Sequence, residues 1–448
     1  MPTLNVAILL ILTCYYVYTP IISLSRDGFT FQSGIKVGIL YFLLIPLWIA
    51  AVTGLLPVPI DFLGTLIPDL RWGPDAEFIS YMMAPLVVLP IFLILIRPLL
   101  VRQNRLEAAS ALDGRDGFYL WTYLSLYILV ALVVYVISGL SAGGHWYRTR
   151  EEFLISYGVT GAFLQYSIVA TRVLFLSTII VGWLRGSTNL KKVIFFIVIV
   201  CAIDLYITGN RIFTLQCALV LAVAMIRKRR VKTLMLCFAL AIPFGVFMGV
   251  FRWIRSYLHD YTGGGFAGAV AGLSKGFQFA ADQVLTNGFG VVDFISSATE
   301  SVNVNVYYAI VRSFSAGNDY LYGGSYLKLF VFAVPRSIWA DKPDSITAAV
   351  GKILAPGTGV SLITTLFGEC YANFGPLTFF VAPILIASAG FIVYGMLRRE
   401  AVSGIVCFVT AFTLIRMPYS DVIVTVVIIA VIVLAVRSVR RMLSLKFA

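Results

Sequence analysis

Hydrophobic positions in this chain fall into long unbroken blocks, not the short alternations of a soluble fold. Blocks able to cross about 30 Å of hydrocarbon lie near 3–23, 37–57, 79–96, 119–140, 158–184, 192–208, 211–226, 232–251, 376–396, 402–416 and 419–436. A transmembrane barrel would instead show roughly ten-residue segments of alternating polarity. The pattern therefore predicts an all-α polytopic membrane protein with about 11 (10–12) transmembrane helices. The first block lacks a basic lead and a small-residue cleavage site, so it is read as a retained helix.

Between the blocks the connections are short, with one exception at about 252–375. Inside it, 263–275 is rich in glycine and alanine, 291–313 reads as one amphipathic helix, and 326–334 is apolar but too short to span. Such a segment is expected to fold back onto the membrane. With no internal repeat or soluble boundary, 1–448 reads as a single transmembrane domain that includes this long, partly helical loop.

Composition agrees: 60% of the 448 residues are hydrophobic and 12% charged. The net charge of +13 would suit a nucleic-acid partner only if gathered on one soluble face, and here it is dispersed between apolar blocks. Basic clusters at 97–115, 185–192, 227–232, 398–399 and 437–441 fall in alternate connections. Placing all five in the cytoplasm satisfies the positive-inside rule. The C-terminus is then inside, the N-terminus outside, and 252–375 faces the periplasm. No cytoplasmic connection is long enough to bind a nucleotide, so any substrate must be borne by the membrane. The six cysteines lie mostly in apolar blocks without metal or disulfide spacing, and no cofactor or metal is expected.

Ionisable residues inside or beside spans are costly, which makes each a candidate for function. Arg172 sits within one apolar block and Asp204 near the outer end of another, close in sequence to Arg211. A structural pair and a direct role both fit. Thr208-Gly209-Asn210-Arg211 reads as a tight outward turn. Arg252, Arg255, Arg312, Arg336 and Arg416 fall on the same outer side, against the orientation rule. Guanidinium suits bidentate contact with phosphate oxygens, so the set points to an anionic ligand such as a lipid diphosphate; headgroup anchoring is the alternative. The elbow Pro335-Arg336-Ser337-Ile338-Trp339-Ala340-Asp341-Lys342-Pro343 adds a ring suited to a sugar face and a further cation. Glu369 stands alone in a neutral run that continues through Tyr371 and Asn373 to Gly375. It is a candidate general base or a counter-ion for Arg336. His259, beside Asp260, is the rival base.

The Gly209-Asn210-Arg211 turn, the Pro335-Arg336…Trp339…Lys342-Pro343 elbow and the Gly368-Glu369…Tyr371…Asn373-Phe374-Gly375 segment resemble the Wzy-type oligosaccharide repeat-unit polymerases, which include the O-antigen and enterobacterial common antigen polymerases. The likeness spans about 203–375. It implies a GT-C-like, metal-independent glycosyltransferase of the bacterial inner membrane, polymerising undecaprenyl-diphosphate-linked repeat units on the periplasmic side. Arg336, Arg252, Arg255 and Arg211 would then meet the diphosphate, with Glu369 or His259 taking the acceptor proton. Arg312, Arg172, Trp339, Lys342, Tyr371 and Asn373 would line the substrate, and a chain-length regulator is a possible partner. An O-antigen ligase, with the same donor and a lipid A-core acceptor, is the second reading. A lipid-linked oligosaccharide flippase is the third.

Overall fold

The computed structural model describes residues 2–58, 67–107, 116–137, 146–208, 211–228, 265–286, 290–332, 341–358, 360–397 and 400–446, with residues 235, 251, 254, 257, 334, 338 and 339 between them. Among these the chain is almost wholly helical, and a two-residue antiparallel pair joins Leu55–Leu56 to Leu70–Arg71. Seven helices are long and apolar enough to cross a membrane, so this is a multi-pass membrane protein. They are α1 (Pro2–Arg26), α2 (Phe31–Thr53) and stretches of α3 (Ala76–Glu107), α4 (Asp116–Ile137) and α5 (Trp146–Arg185), then the run through 366–397 and most of α16 (Tyr419–Lys446).

Three more apolar blocks are helices that fall short of a clean span. Helix α6 (Leu190–Thr208) carries Lys191, Lys192 and Asp204. Helix α7 (Ile212–Arg227) has 16 residues and α15 (Ser403–Arg416) has 14. At 1.5 Å per residue these two rise only about 24 and 21 Å, less than the hydrocarbon thickness. The block at 232–251 lies outside the described residues.

Parts of the 252–375 segment pack into the bundle. The expected single helix over 291–313 is two: α9 (Val291–Ala298) and α10 (Val302–Ser315), joined by a tight turn. Nor is α10 amphipathic in place, because 303–311 is buried throughout. It packs against α3, the middle of α2 and α13 (Leu366–Phe374), while α9 packs on the last turns of α2. The pair thus enters the bundle as a re-entrant hairpin. Its tip lies level with Tyr41, whose hydroxyl donates to the Ala298 carbonyl. Tyr41 is 12 residues from the helix end at Thr53, or about 18 Å along the axis. The rest of the segment holds α8 (Gly265–Thr286), α11 (Lys328–Val331) and α12 (Ile346–Leu354), and α14 (Thr378–Leu397) follows α13.

Close packing of α2 on α15 sets the depth at which these parts meet. A Cβ on Gly34 would sit 2.3 Å from the Phe408 carbonyl oxygen, and one on Gly38 would sit 3.0 Å from Ile415 Cγ1. Small residues four apart let helix backbones approach in this way. In α2 the turn 40–44 is a π-bulge, a common local distortion near functional sites. Arg227 beside Gly28, Lys228 on the Trp183 carbonyl at 2.7 Å and Arg440 on the Tyr119 hydroxyl at 2.6 Å gather the basic span ends at one end of the bundle. Asn5 donates to the Ala76 carbonyl at 2.8 Å at the other.

Candidate functional site

Two hairpin tips and the re-entrant turn converge on one carboxylate. Arg211 begins α7, Arg416 ends α15, and Glu300 lies between α9 and α10. Arg416 Nε is 2.5 Å from Glu300 Oε2, and Arg211 Nε is 3.5 Å from Oε1. Arg211 also donates from Nη2 to the Ser297 carbonyl at 2.5 Å, and Asn303 Nδ2 donates to Glu300 Oε2 at 3.3 Å. All three charged side chains are mostly buried, with exposures of 14%, 10% and 8% for Arg211, Glu300 and Arg416. Burial works to raise the Glu300 pKa, but Arg416 and Arg211 outweigh it, so the carboxyl is held below its ordinary range. Both guanidinium groups therefore face the same carboxylate.

The turn carrying Glu300 has Schellman geometry. Ser301 N–H donates to the Ser296 carbonyl at 3.0 Å and Glu300 N–H to the Ser297 carbonyl at 3.3 Å. Glu300 occupies the left-handed position, at φ 52°, which such turns usually give to glycine. Neither Glu300 nor Tyr41 stands out in the sequence. The available signal is the polar run Ser296-Ser297-Ala298-Thr299-Glu300-Ser301, which interrupts an otherwise apolar stretch.

Of the residues singled out in the sequence, Arg211 and Arg416 are in this cluster and the others described are elsewhere. Arg172 and Asp204 pair with each other: Arg172 Nη1 reaches both carboxylate oxygens, at 2.7 and 2.8 Å, and the guanidinium lies 5.1 Å from the Phe213 ring centre. Arg312 is exposed on α10, 3.4 Å from the Tyr308 hydroxyl. Trp339 is 39% exposed, and Lys342 donates to the carbonyls of Phe332 and Val334 at 3.2 and 2.9 Å. Arg252, Arg255, His259 and Arg336 lie outside the described residues.

Glu369, Tyr371 and Asn373 form a separate, buried brace. The Thr365 hydroxyl caps α13 by accepting from Gly368 N–H at 3.0 Å. Glu369, with no solvent exposure, accepts from the Tyr419 backbone N–H at 2.6 Å and the Ser325 hydroxyl at 3.4 Å. The donor is a first-turn amide of α16, which has no partner within its own helix. Asn373 holds the 321–325 strip by accepting from Gly323 N–H at 3.0 Å and donating to the Ser325 hydroxyl at 2.9 Å. Tyr371 shares a 2.8 Å hydrogen bond with Ser315. Next to the brace, Lys328 pairs with Asp421 at 2.6 Å. Glu369→Ala should lower stability by about 1–3 kcal/mol by stranding the Tyr419 amide, with Glu369→Gln restoring most of it through its carbonyl oxygen. Thermal melts of the two purified variants check this; equal losses would contradict it.

Chemically, the convergence of Arg211, Arg416 and Glu300 is a buried arrangement of guanidinium groups on one carboxylate. The brace orders the elements around it. Comparison with protein-family models, curated proteins and solved structures gives no match.

Proposed function

We propose that the chain is a membrane glycosyltransferase of the Wzy type, polymerising undecaprenyl-diphosphate-linked oligosaccharide repeat units into an O-antigen or similar surface polysaccharide. One observation carries the reading: two guanidinium groups, from the start of α7 and the end of α15, meet one buried carboxylate in the turn between α9 and α10. A dry, preorganised positive centre stabilises negative charge developing on a departing diphosphate, and such electrostatic stabilisation is usually the greatest single contribution an enzyme makes to rate. The basic clusters at the opposite end of the bundle support an inner-membrane orientation with this centre toward the periplasm. The eleven-span, GT-C-like layout belongs to the same proposal, in which α6, α7, α15 and 232–251 would cross as well as the seven long helices.

In this reading Arg211 and Arg416 face the diphosphate, joined by Arg252, Arg255 and Arg336, and His259 is the leading acceptor base. Glu369 is assigned a bracing role, since its oxygens are committed to Tyr419 and Ser325. Glu369→Gln separates the two roles: a brace leaves polymer forming, whereas a base gives no polymer from a protein that melts normally.

The lipopolysaccharide ladder of a deletion strain tests the function itself. A polymerase leaves core capped with a single repeat. Loss of capping with accumulated lipid-linked polymer would indicate the ligase, and uncapped core without external polymer the flippase. An unchanged ladder would overturn the proposal.

A further inference from the structure

The strip that Asn373 holds contains a backbone conformation that folding alone does not require. Tyr322 sits at φ 46° and Gly323 at φ 82°, and Gly324 N–H closes the turn on the Leu321 carbonyl at 2.8 Å. Positive φ at both central positions is the type I′ pattern, which glycine, asparagine and aspartate favour. A bulky tyrosine there is a strained outlier, whereas glycine would make the same turn without strain. Burial does not offset the strain, because Tyr322 is 77% exposed. An outlier of this kind on a surface points to function.

The exposed ring is nonetheless held in place. Leu321 N–H donates to the Ala372 carbonyl at 2.9 Å, Tyr322 N–H to the Asn373 carbonyl at 3.2 Å and Gly323 N–H to Asn373 Oδ1 at 3.0 Å. The Tyr322 ring meets Tyr320 edge-on, with centroids 6.4 Å apart, and Tyr320 stacks on buried Phe314 at 5.8 Å and 19°. A Cβ on Gly375 would lie 2.6 Å from the Tyr320 ring, so a side chain at 375 would displace it. These rings form a rigid aromatic step from core to surface.

Polar groups surround the step. Arg312, Asn318 and Asp319 are exposed at the end of α10 and in the turn that follows. The Tyr371 hydroxyl, bonded to Ser315, lies within electrostatic reach of Tyr320 and of Tyr81 and Glu77 on α3. Exposed charges of both signs place this face in water and not against acyl chains. Aromatic rings beside amide, hydroxyl and carboxylate groups suit a sugar, which offers C–H faces and hydroxyl edges.

We propose that Tyr322, backed by Tyr320, is a stacking platform for a sugar ring of the oligosaccharide carried by a membrane-borne substrate. This rests on the polymerase reading, which supplies a glycan on this face. The platform binds and orients; no covalent bond changes there. Its strained turn is the means by which an exposed ring is presented at a fixed angle.

The full chain in lipid nanodiscs is titrated with oligosaccharide fragments released by mild acid from the host cell's own surface polysaccharide, and binding is followed by saturation-transfer NMR. Tyr322→Gly removes the ring and the strain together. Its affinity should fall about tenfold, while its melting temperature should equal or exceed that of wild type. Tyr322→Phe keeps the ring and should bind within about threefold of wild type. A membrane-impermeant maleimide should label Tyr322→Cys, and the fragments should slow the labelling.

Equal affinity of Tyr322→Gly and wild type would overturn the inference and leave the polymerase reading standing. Failure of wild type to bind any fragment would overturn it too, with the polymerase reading still decided by the deletion ladder. If the maleimide does not label Tyr322→Cys, the side chain belongs to the membrane interface and the inference falls. Should Tyr322→Gly fail to fold, Tyr322→Asn, which the same turn position favours, replaces it with the same expectations. If both variants lose stability along with binding, the ring is structural and the platform is refuted.

Discussion

Arg172→Met is expected to cost about 3–5 kcal/mol, because it strands the Asp204 carboxylate in the bundle interior. Asp204 has no solvent exposure, and its oxygens are held by Arg172 at 2.7 and 2.8 Å, with Thr208 at 3.3 Å. Removing one partner of such a pair exposes the full desolvation cost of the other. Both side chains are buried, at 5% and 0% exposure, so water does not take over the lost contact. Arg172→Met with Asp204→Leu should recover most of the loss, since well-packed apolar replacements of a buried pair are often neutral or better. Chemical denaturation in mixed micelles reads both variants. An unchanged midpoint for the single variant would refute the structural role. The double variant also decides a functional point: if it folds and still makes polymer, Arg172 does not contact substrate.

Gly34→Val should separate α2 from α15 at a cost of about 3 kcal/mol, the upper end of ordinary overpacking. The added Cβ would lie 2.3 Å from the Phe408 carbonyl oxygen and 2.8 Å from Ala411 Cβ. A helix carbonyl cannot rotate away as a flexible side chain can, so the whole helix must shift. Because α2 carries Tyr41 and α15 carries Arg416, the shift reaches the charged cluster. Polymer formation should fall further than the amount of folded protein does. Gly395→Ala is the control: its Cβ meets nothing within 4 Å, and alanine in a helix is favoured over glycine by roughly 0.5–1 kcal/mol. Melting temperature and membrane-inserted yield for both variants check the pair. A normal melt for Gly34→Val would show that the helices are not in this close contact.

The span blocks were legible because burial in lipid writes itself into composition. A helix in hydrocarbon must be apolar over most of its length whatever its neighbours are, so ten of the eleven blocks coincide with helices. The candidate site was legible only in part. Arg211 and Arg416 were visible as cations where the orientation rule disfavours them. Glu300 was not, since one carboxylate in a polar hexapeptide looks like an ordinary loop residue. The split of 291–313 was equally hidden, because helix periodicity continues on both sides of the turn and the break depends on a left-handed residue that is not glycine. Glu369 is legible as a lone carboxylate in a neutral run, but the donors to its oxygens, Tyr419 and Ser325, are set by the tertiary fold.

By itself, the sequence determined the environment, the helical class and the alternation of basic connections, because each follows from residue-by-residue transfer between water and lipid. Only the tertiary structure decided which charges meet. That Arg172 turns to Asp204, that Arg211 and Arg416 share Glu300, and that the 291–315 hairpin packs into the bundle all depend on which helices lie side by side, and residues far apart in sequence set that. Transfer from water to lipid acts on each residue alone, whereas the pairing of buried charges is decided by close packing between helices.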